Sequence, residues 1–260
     1  MIPCRCAAKH KGLTRVADLS HQNPARLRGA QSTTSSQQQN NPAIVQQRFH
    51  TLLQLNRHNI SIPSVKMSTS YETALAAIDA AHALDPTKIT INGSELPYEL
   101  HYAQKSTSYL TKRDPSASEP LRLAIRAQHF RRWEVPRSSY PMTKPGYHAW
   151  RTYLKKRQAE LVAAICKDAG YSEEDSERVA SLIRKEGLKT DEETQVLEDV
   201  ACLVFLDDQF EKFQSEHDEE KILGILRKTW GKMTERGHEL ALEMEMSGRP
   251  KELVEKALKG

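Results

Sequence analysis

Apolar residues recur at helical spacing along most of the chain after residue 70, with polar residues between them. In TQVLEDVACLVFLDDQF, residues 194–210, Leu197, Val200 and Val204 form one stripe at intervals of three and four residues. Apolar residues also occupy the other faces, which predicts a central helix. The pattern contains no convincing strand alternation, and TKITING, residues 87–93, is at most a short extended piece. The fold class predicted is all-α, a compact multi-helix bundle.

Capping residues divide this pattern into separate helices. Ser118 precedes a mostly apolar segment and is predicted to cap a helix that contains His129. Thr190 is followed three residues later by Glu193, which predicts a capping box. The helix that begins there is expected to continue to about Ser215.

The first 66 residues differ in composition from the rest. They hold nine basic residues and one acidic residue, a net charge of +8, so the total of +4 leaves −4 for residues 67–260. The low-complexity run AQSTTSSQQQNNPA predicts a disordered extension, and residues 67–260 are expected to form the helical domain. The basic extension is typical of a mitochondrial presequence, while the stretch from Met67 is typical of a protein start. Both interpretations stay open.

Composition also bears on the compartment and on partners. No run of about 18 apolar residues is present, so no membrane span is predicted. Cys166 and Cys202 lie in apolar helical patterns, where a reduced thiol is a small core residue. A cytoplasmic location is expected, or a mitochondrial one if the extension is a presequence. Because the basic charge lies in the extension, nucleic acid is not expected to bind the folded part.

Two carboxylates interrupt the central apolar helix, Glu198 and Asp199. A buried carboxylate is costly unless it is paired with a cation, hydrogen-bonded or bound to metal. One interpretation is an internal salt bridge to an arginine. The other is a catalytic site that faces a metal or a phosphate.

Histidine and further carboxylates occur on other predicted helices. His129 lies in an apolar setting, and PYELHYAQ brings Glu99 and His101. Imidazole and carboxylate ligands suit zinc, manganese or iron. The sequence therefore predicts that His129, Asp199, Glu99 and His101 bind one divalent metal.

Basic residues near these positions predict a phosphate site. The candidates for binding the phosphorylated substrate are Gln128, Arg132, Arg137, Arg151, Lys185 and Lys189. Guanidinium groups match the geometry of phosphate, and a metal would activate water beside it. The alternative is that the same charges form a buried ion-pair network that only fixes helix packing.

Several segments resemble the domain-of-unknown-function family 4202. They are AQHFRRWEVPRSSYP, GYHAWRTYL, TQVLEDVACLVFL and ILRKTWGKMTERG, and the resemblance covers roughly Tyr71 to Leu258. It implies a shared fold and no established activity.

That family is in turn weakly similar to the HD superfamily of helical metal-dependent phosphohydrolases. The similarity implies an HD-like bundle with Glu99 or His101 as the first ligand, His129 as the second and Asp199 as the last. The sequence departs from the HD pattern because Phe130, not aspartate, follows His129. Gln128 is the only nearby polar substitute.

These observations predict an HD-like metal-dependent phosphohydrolase, or a protein that binds a small phosphorylated ligand. One alternative is a non-catalytic helical binding module. A second is a tRNA-linked function, because Lys232, Met233 and Thr234 in GKMTERG resemble the KMSKS loop of class I aminoacyl-tRNA synthetases. No HIGH motif accompanies them.

Overall fold

The computed structural model describes residues 68–259, and within them it is an all-α fold with one small hairpin. The fold class predicted from the sequence is thereby confirmed. The predicted extension, residues 1–66, lies outside the described residues. The helices are α1 (Ser70–His82), α2 (Tyr98–Arg113), α3 (Glu119–Arg126), α4 (Lys144–Asp168), α5 (Glu173–Arg184), α6 (Glu192–Val204), α7 (Phe210–Ser215), α8 (Glu219–Trp230), α9 (Glu235–Leu242) and α10 (Gly248–Lys259).

A two-stranded antiparallel hairpin lies between α1 and α2. Its strands are β1 (Lys88–Ile91) and β2 (Ser94–Pro97). Asn92 and Gly93 form the turn with φ values of 51° and 80°. Two residues of positive φ match the right-handed twist of the flanking strands.

The helix ends follow local capping chemistry, with one correction to the sequence prediction. The Ser118 hydroxyl accepts the N–H of Leu121 at 3.2 Å and caps α3 as predicted. The capping box predicted at Thr190 is wrong. Asp191 is the capping residue of α6, and its carboxylate accepts the N–H of Thr194 at 2.8 Å.

Helix α6 is central, as its apolar pattern predicts. Val200, Leu203 and Val204 are fully buried, and α6 packs against α2, α3 and α9. Helices α4 and α5 form another closely packed pair, and α3 lies between α5 and α2. Two predicted site residues, Glu198 and Asp199, are therefore inside the bundle.

The long helix predicted to reach Ser215 contains a π-helical turn. Helix α6 ends at Val204, the turn covers Phe205–Gln209, and α7 continues to Ser215. Among the described helices, none is long and apolar enough to cross a membrane.

Candidate functional site

A cleft of about 600 Å³ opens between the start of α2, the loop that joins α3 to α4, and the π-helical turn. We refer to it as the cleft. His129 lies on its wall. Its other prominent residues are three aromatic side chains and three cations, namely Tyr98, Trp133, Trp150, Arg132, Arg137 and Lys212.

The loop beside the cleft has an unusual backbone. Helix α3 ends at Arg126, so His129 lies after the helix and not inside it as the sequence predicted. His129 has a φ of 63° and Arg131 a φ of 49°. Residues other than glycine rarely adopt this left-handed backbone conformation, because it is strained for them. Backbone strain of this kind is often found at functional sites.

Glu99 holds this loop in place. Its Oε1 accepts the backbone N–H of Arg132 at 2.6 Å and that of Trp133 at 3.1 Å. Its Oε2 lies 3.3 Å from Nδ1 of the buried His82. The carboxylate that was predicted to bind metal therefore anchors the loop to the start of α2.

Arg132 lines the cleft and forms no ion pair among the described residues. Its guanidinium lies 4.7 Å from the ring of Trp150, and Nη1–H donates to Nε2 of His129 at 2.8 Å. Among residues 68–259, no carboxylate oxygen lies within 4.0 Å of it. Burial, together with the nearby Arg151, lowers the pKa of Arg132.

His129 is neutral in this setting. Its ring stacks on Tyr102 with centroids 4.1 Å apart. Burial and then the charges of Arg132, Arg151 and Lys185 lower its pKa well below 6.5. Because arginine can only donate, Nε2 of His129 accepts and the ring proton is on Nδ1.

A second, small pocket lies next to His129, bounded by α4 and the end of α5. We call it the inner pocket; its polar lining residues besides His129 are Gln128, Arg151, Lys155, Gln158 and Lys185. The three residues from α4 are spaced by four and three positions, so they share one helix face. The space measures about 20 Å³, enough for one water molecule.

Lys185 ends α5 with a φ of 59° and forms an ion pair with the buried Glu198. The Nζ of Lys232 lies 3.2 Å from the same carboxylate. Burial raises the pKa of Glu198, but the two lysines outweigh it and lower the value to about 2. Glu198 is therefore the counter-ion of two lysines.

The remaining predicted metal ligands lie elsewhere. The Arg113 guanidinium donates to Asp199 at 2.7 Å, so Asp199 has the internal salt bridge that the sequence left open. His101 lies 3.0 Å from Asp208. Within the described range, no group of three or more His, Cys, Asp or Glu side chains could hold a metal ion. The structure does not bring His129, Asp199, Glu99 and His101 together, and binding of manganese, iron or zinc stays a prediction.

Most of the predicted phosphate-binding residues do meet. Gln128, Arg132, Arg137, Arg151 and Lys185 surround His129 in the cleft and the inner pocket. Lys189 is exposed and lies in a separate depression beside Asp191 and Arg113.

Among the residues of this site that the sequence interpretation missed are Trp150, Lys155 and Gln158. Lys155 belongs to the charge run Lys155, Lys156 and Arg157, and such runs are usually solvated faces. Helical spacing from Arg151 in HAWRTYLKKRQ would have placed Lys155 and Gln158 on the same face.

Comparison with known proteins gives one match. The profile of a family described as "Domain of unknown function (DUF4202)" covers residues 72–254. No curated protein and no solved structure matches the chain. The comparisons therefore indicate no activity for this chain. They also include no match to the HD superfamily, so that similarity stays a prediction from the sequence.

Proposed function

Because the chain belongs to the DUF4202 family, whose description gives no activity, we propose a function from the site itself. The protein binds a small phosphorylated ligand in the cleft. The phosphate group lies beside Arg132, at the wall that the cleft shares with the inner pocket.

The observation that carries this proposal is the pairing of arginines. Nine arginines of the described part are half-buried, and six of them lie within 4.0 Å of a carboxylate oxygen. The other three are Arg132, Arg137 and Arg151, and each lines the cleft or the inner pocket. Arg137 donates instead to the carbonyl groups of Tyr140 and Pro141.

Uncompensated charges at close range repel one another and oppose folding. Lys155 shares this environment, since burial and then the charges of Lys185 and Arg151 lower its pKa. An anion in the cleft would offset the repulsion. Guanidinium forks match the oxygen atoms of phosphate, which makes a phosphate group the best fit.

The size and lining of the cleft indicate an organic phosphate. Small-molecule sites typically measure about 300–1,000 Å³, and the cleft lies within this range. Tyr98, Trp133 and Trp150 supply apolar surface for the organic part of the ligand. The guanidinium stack on Trp150 also fixes the orientation of Arg132.

Hydrolysis of the ester is a second candidate function, favoured by His129. Its neutral imidazole can accept a proton from an attacking water, but the burial and the cations that lower its pKa also make it a weak base. The new bond would join the water oxygen to phosphorus, the bond from phosphorus to the alcohol oxygen would break, and the alcohol would leave with the proton that His129 had taken from the water. Nε2 of His129 must first release Arg132, so binding without turnover fits the present geometry better.

The binding proposal is tested by titrating the full-length protein with phenyl phosphate in a calorimeter. Arg132→Ala and Arg151→Ala should each weaken binding by about 10- to 100-fold, because a hydrogen bond to a charged group contributes about 1.5–3 kcal/mol. The matched control is Arg122→Ala. Arg122 is exposed, stacks 4.4 Å above Tyr71 and lies outside the cleft.

Unchanged affinity in both the Arg132→Ala and the Arg151→Ala variant would remove the proposal, and so would failure to bind phenyl phosphate, inorganic phosphate and nucleoside monophosphates. Release of inorganic phosphate, measured with added manganese, iron or zinc, separates the predicted phosphohydrolase from a non-catalytic module. Binding of RNA that weakens steeply with salt would favour the tRNA-linked alternative instead.

A further inference from the structure

Two amide side chains of the inner pocket have unsatisfied donors. Gln158 is only 7% exposed, and its Nε2 has no hydrogen-bond partner in the described part of the chain. The same is true of Nε2 of Gln128. A buried donor without an acceptor costs about 1–3 kcal/mol. Native proteins rarely keep such groups without a reason, and two of them border one small space.

The other polar groups around this space are also donors. Arg151, Lys155 and Lys185 are cations without acceptor atoms, and the proton of His129 is on Nδ1. Glu198 faces Lys185 but does not line the pocket. Apart from the amide oxygens of Gln128 and Gln158, the polar side chains that line the pocket are donors or the neutral His129, and three of them are cations. The pocket therefore favours an occupant that accepts hydrogen bonds and carries negative charge.

The volume limits what this occupant can be. A space of about 20 Å³ holds one oxygen-sized group and excludes a whole phosphate. His129 lines both the inner pocket and the cleft, so the two spaces are neighbours. An oxygen atom in the pocket can therefore belong to a larger group whose remainder is in the cleft.

Resting on the proposed function, we propose that the inner pocket is the subsite for one terminal phosphoryl oxygen and that the ligand is a phosphate monoester. A monoester dianion has three terminal oxygens, one for the pocket and two for the guanidinium groups of Arg132 and Arg151. A diester has two terminal oxygens and one charge, and its second organic group would point at cations.

The charge of the site also favours a phosphate monoester over a diester. Arg132, Arg151 and Lys155 have no carboxylate oxygen within 4.0 Å among the described residues, while Glu198 offsets one charge of the Lys185 and Lys232 pair. An occupant with two negative charges neutralises this surplus better than an occupant with one. The monoester should bind more tightly for this reason as well as for its third terminal oxygen.

Three probes of similar shape separate the effect of the ligand's charge from the effect of its third terminal oxygen, in calorimetric titrations of the full-length protein. They are phenyl phosphate, methyl phenyl phosphate and phenyl sulfate. At about pH 8 phenyl phosphate is a dianion, because the second phosphate pKa is about 6. We expect it to bind about tenfold more tightly than methyl phenyl phosphate, a difference of about 1.4 kcal/mol. Phenyl sulfate, with three terminal oxygens and one charge, should lie between them.

Gln158→Leu tests the subsite itself. It removes the amide, so we expect the preference for phenyl phosphate over methyl phenyl phosphate to fall from about tenfold to about threefold, a loss of roughly 0.7 kcal/mol. Thermal stability should hold or rise, because an unsatisfied buried donor is removed. Gln214→Leu is the matched control, since Gln214 also has a buried unpartnered amide atom and lines neither space. Gln128→Leu serves the same purpose as Gln158→Leu if that variant does not fold.

The outcomes distinguish the two proposals. If no phosphate binds, the proposed function fails. If phenyl phosphate and methyl phenyl phosphate bind equally well and both need Arg132, the monoester inference fails alone. If the preference is unchanged in Gln158→Leu and Gln128→Leu, the inner pocket holds only water and is not the subsite.

Discussion

Arg113 and Asp199 form a buried salt bridge, with Nε of the arginine 2.7 Å from Oδ2 of the aspartate. Asp199 is fully buried and also accepts the N–H of Thr234 at 2.8 Å and its hydroxyl at 2.5 Å. One carboxylate thus joins α2, α6 and the start of α9. Asp199 fixes helix packing and does not line the cleft.

Replacing this aspartate should cost stability and leave ligand affinity intact. Asp199→Ala strands the Arg113 guanidinium and the Thr234 N–H, and breaking a buried ion pair typically costs about 3–5 kcal/mol. Urea unfolding measures the loss. As a control, Asp218→Ala removes only an exposed capping group of α8 and should cost much less stability. A variant that stays stable but no longer binds phenyl phosphate would contradict the packing role.

A second prediction concerns the close approach of α9 to the same carboxylate. A Cβ atom on Gly237 would lie 2.9 Å from both Cγ and Oδ1 of Asp199. Gly237→Ala should therefore destabilise the fold by about 1–3 kcal/mol through overpacking. Gly224→Ala is the matched control on α8. Its Cβ would meet nothing within 4 Å, so about 0.5–1 kcal/mol of stability should be gained. Equal melting temperatures for the two variants would contradict this geometry.

A third prediction follows from Glu198 and its two lysines. Its pKa is lowered from 4.5 to about 2, so the ionised form stabilises the fold above about pH 4.5. That contribution, on the order of 3 kcal/mol, is lost as the pH falls toward 2. Glu198→Gln should lower the unfolding free energy at about pH 7 by this amount and match the parent protein near pH 2.

Asp191 provides the internal reference for that experiment. Its hydrogen bonds from Arg178 lower its pKa to about 2 as well, and both proteins keep this group. The unfolding free energy of Glu198→Gln should therefore still fall at acid pH, but by less than that of the parent protein. Identical pH profiles for the two proteins would show that the lysine pairs contribute nothing to stability.

A fourth prediction concerns the pH dependence of binding. The pKa of His129 lies well below 6.5, so the imidazole stays neutral over the working range. The affinity for phenyl phosphate should therefore fall below about pH 6, where the ligand itself gains a proton. Phenyl sulfate does not titrate there and should bind with constant affinity. Tighter sulfate binding at lower pH would mean that His129 gains a proton.

Local signals in the sequence identified most of the helices. Ser118 caps α3 where its side chain predicts, because a cap depends on residues three positions away. Thr190 failed as a cap because Asp191, one residue later, is the stronger competitor and is also held by Arg178. The hairpin had its signal in the Asn92-Gly93 pair, which the sequence interpretation did not use.

Only part of the candidate site could be predicted from the sequence, because the residues that contact one another there are far apart along the chain. The arginine loop after α3 was recognised from its composition. The partner of Asp199, however, is 86 residues away on α2, and no local pattern identifies it. The turn that places His129 outside its helix is held by Glu99, 33 residues before Arg132. Contacts of this range depend on how the helices pack.

The number of residues in the π-helical turn Phe205–Gln209 determines where α7 lies relative to α6. It puts the Asp208 carboxylate and the Gln209 amide each 2.9 Å from the hydroxyl of Tyr98, at the edge of the cleft. An α-helix turns about 100° and rises about 1.5 Å per residue. Deleting one amino acid here would regularise the helix, swing α7 by that angle and pull both groups away from Tyr98. The spacing between α6 and α7 therefore depends on single residues, and a deletion of one residue would displace Gln209 and Lys212, which line the cleft.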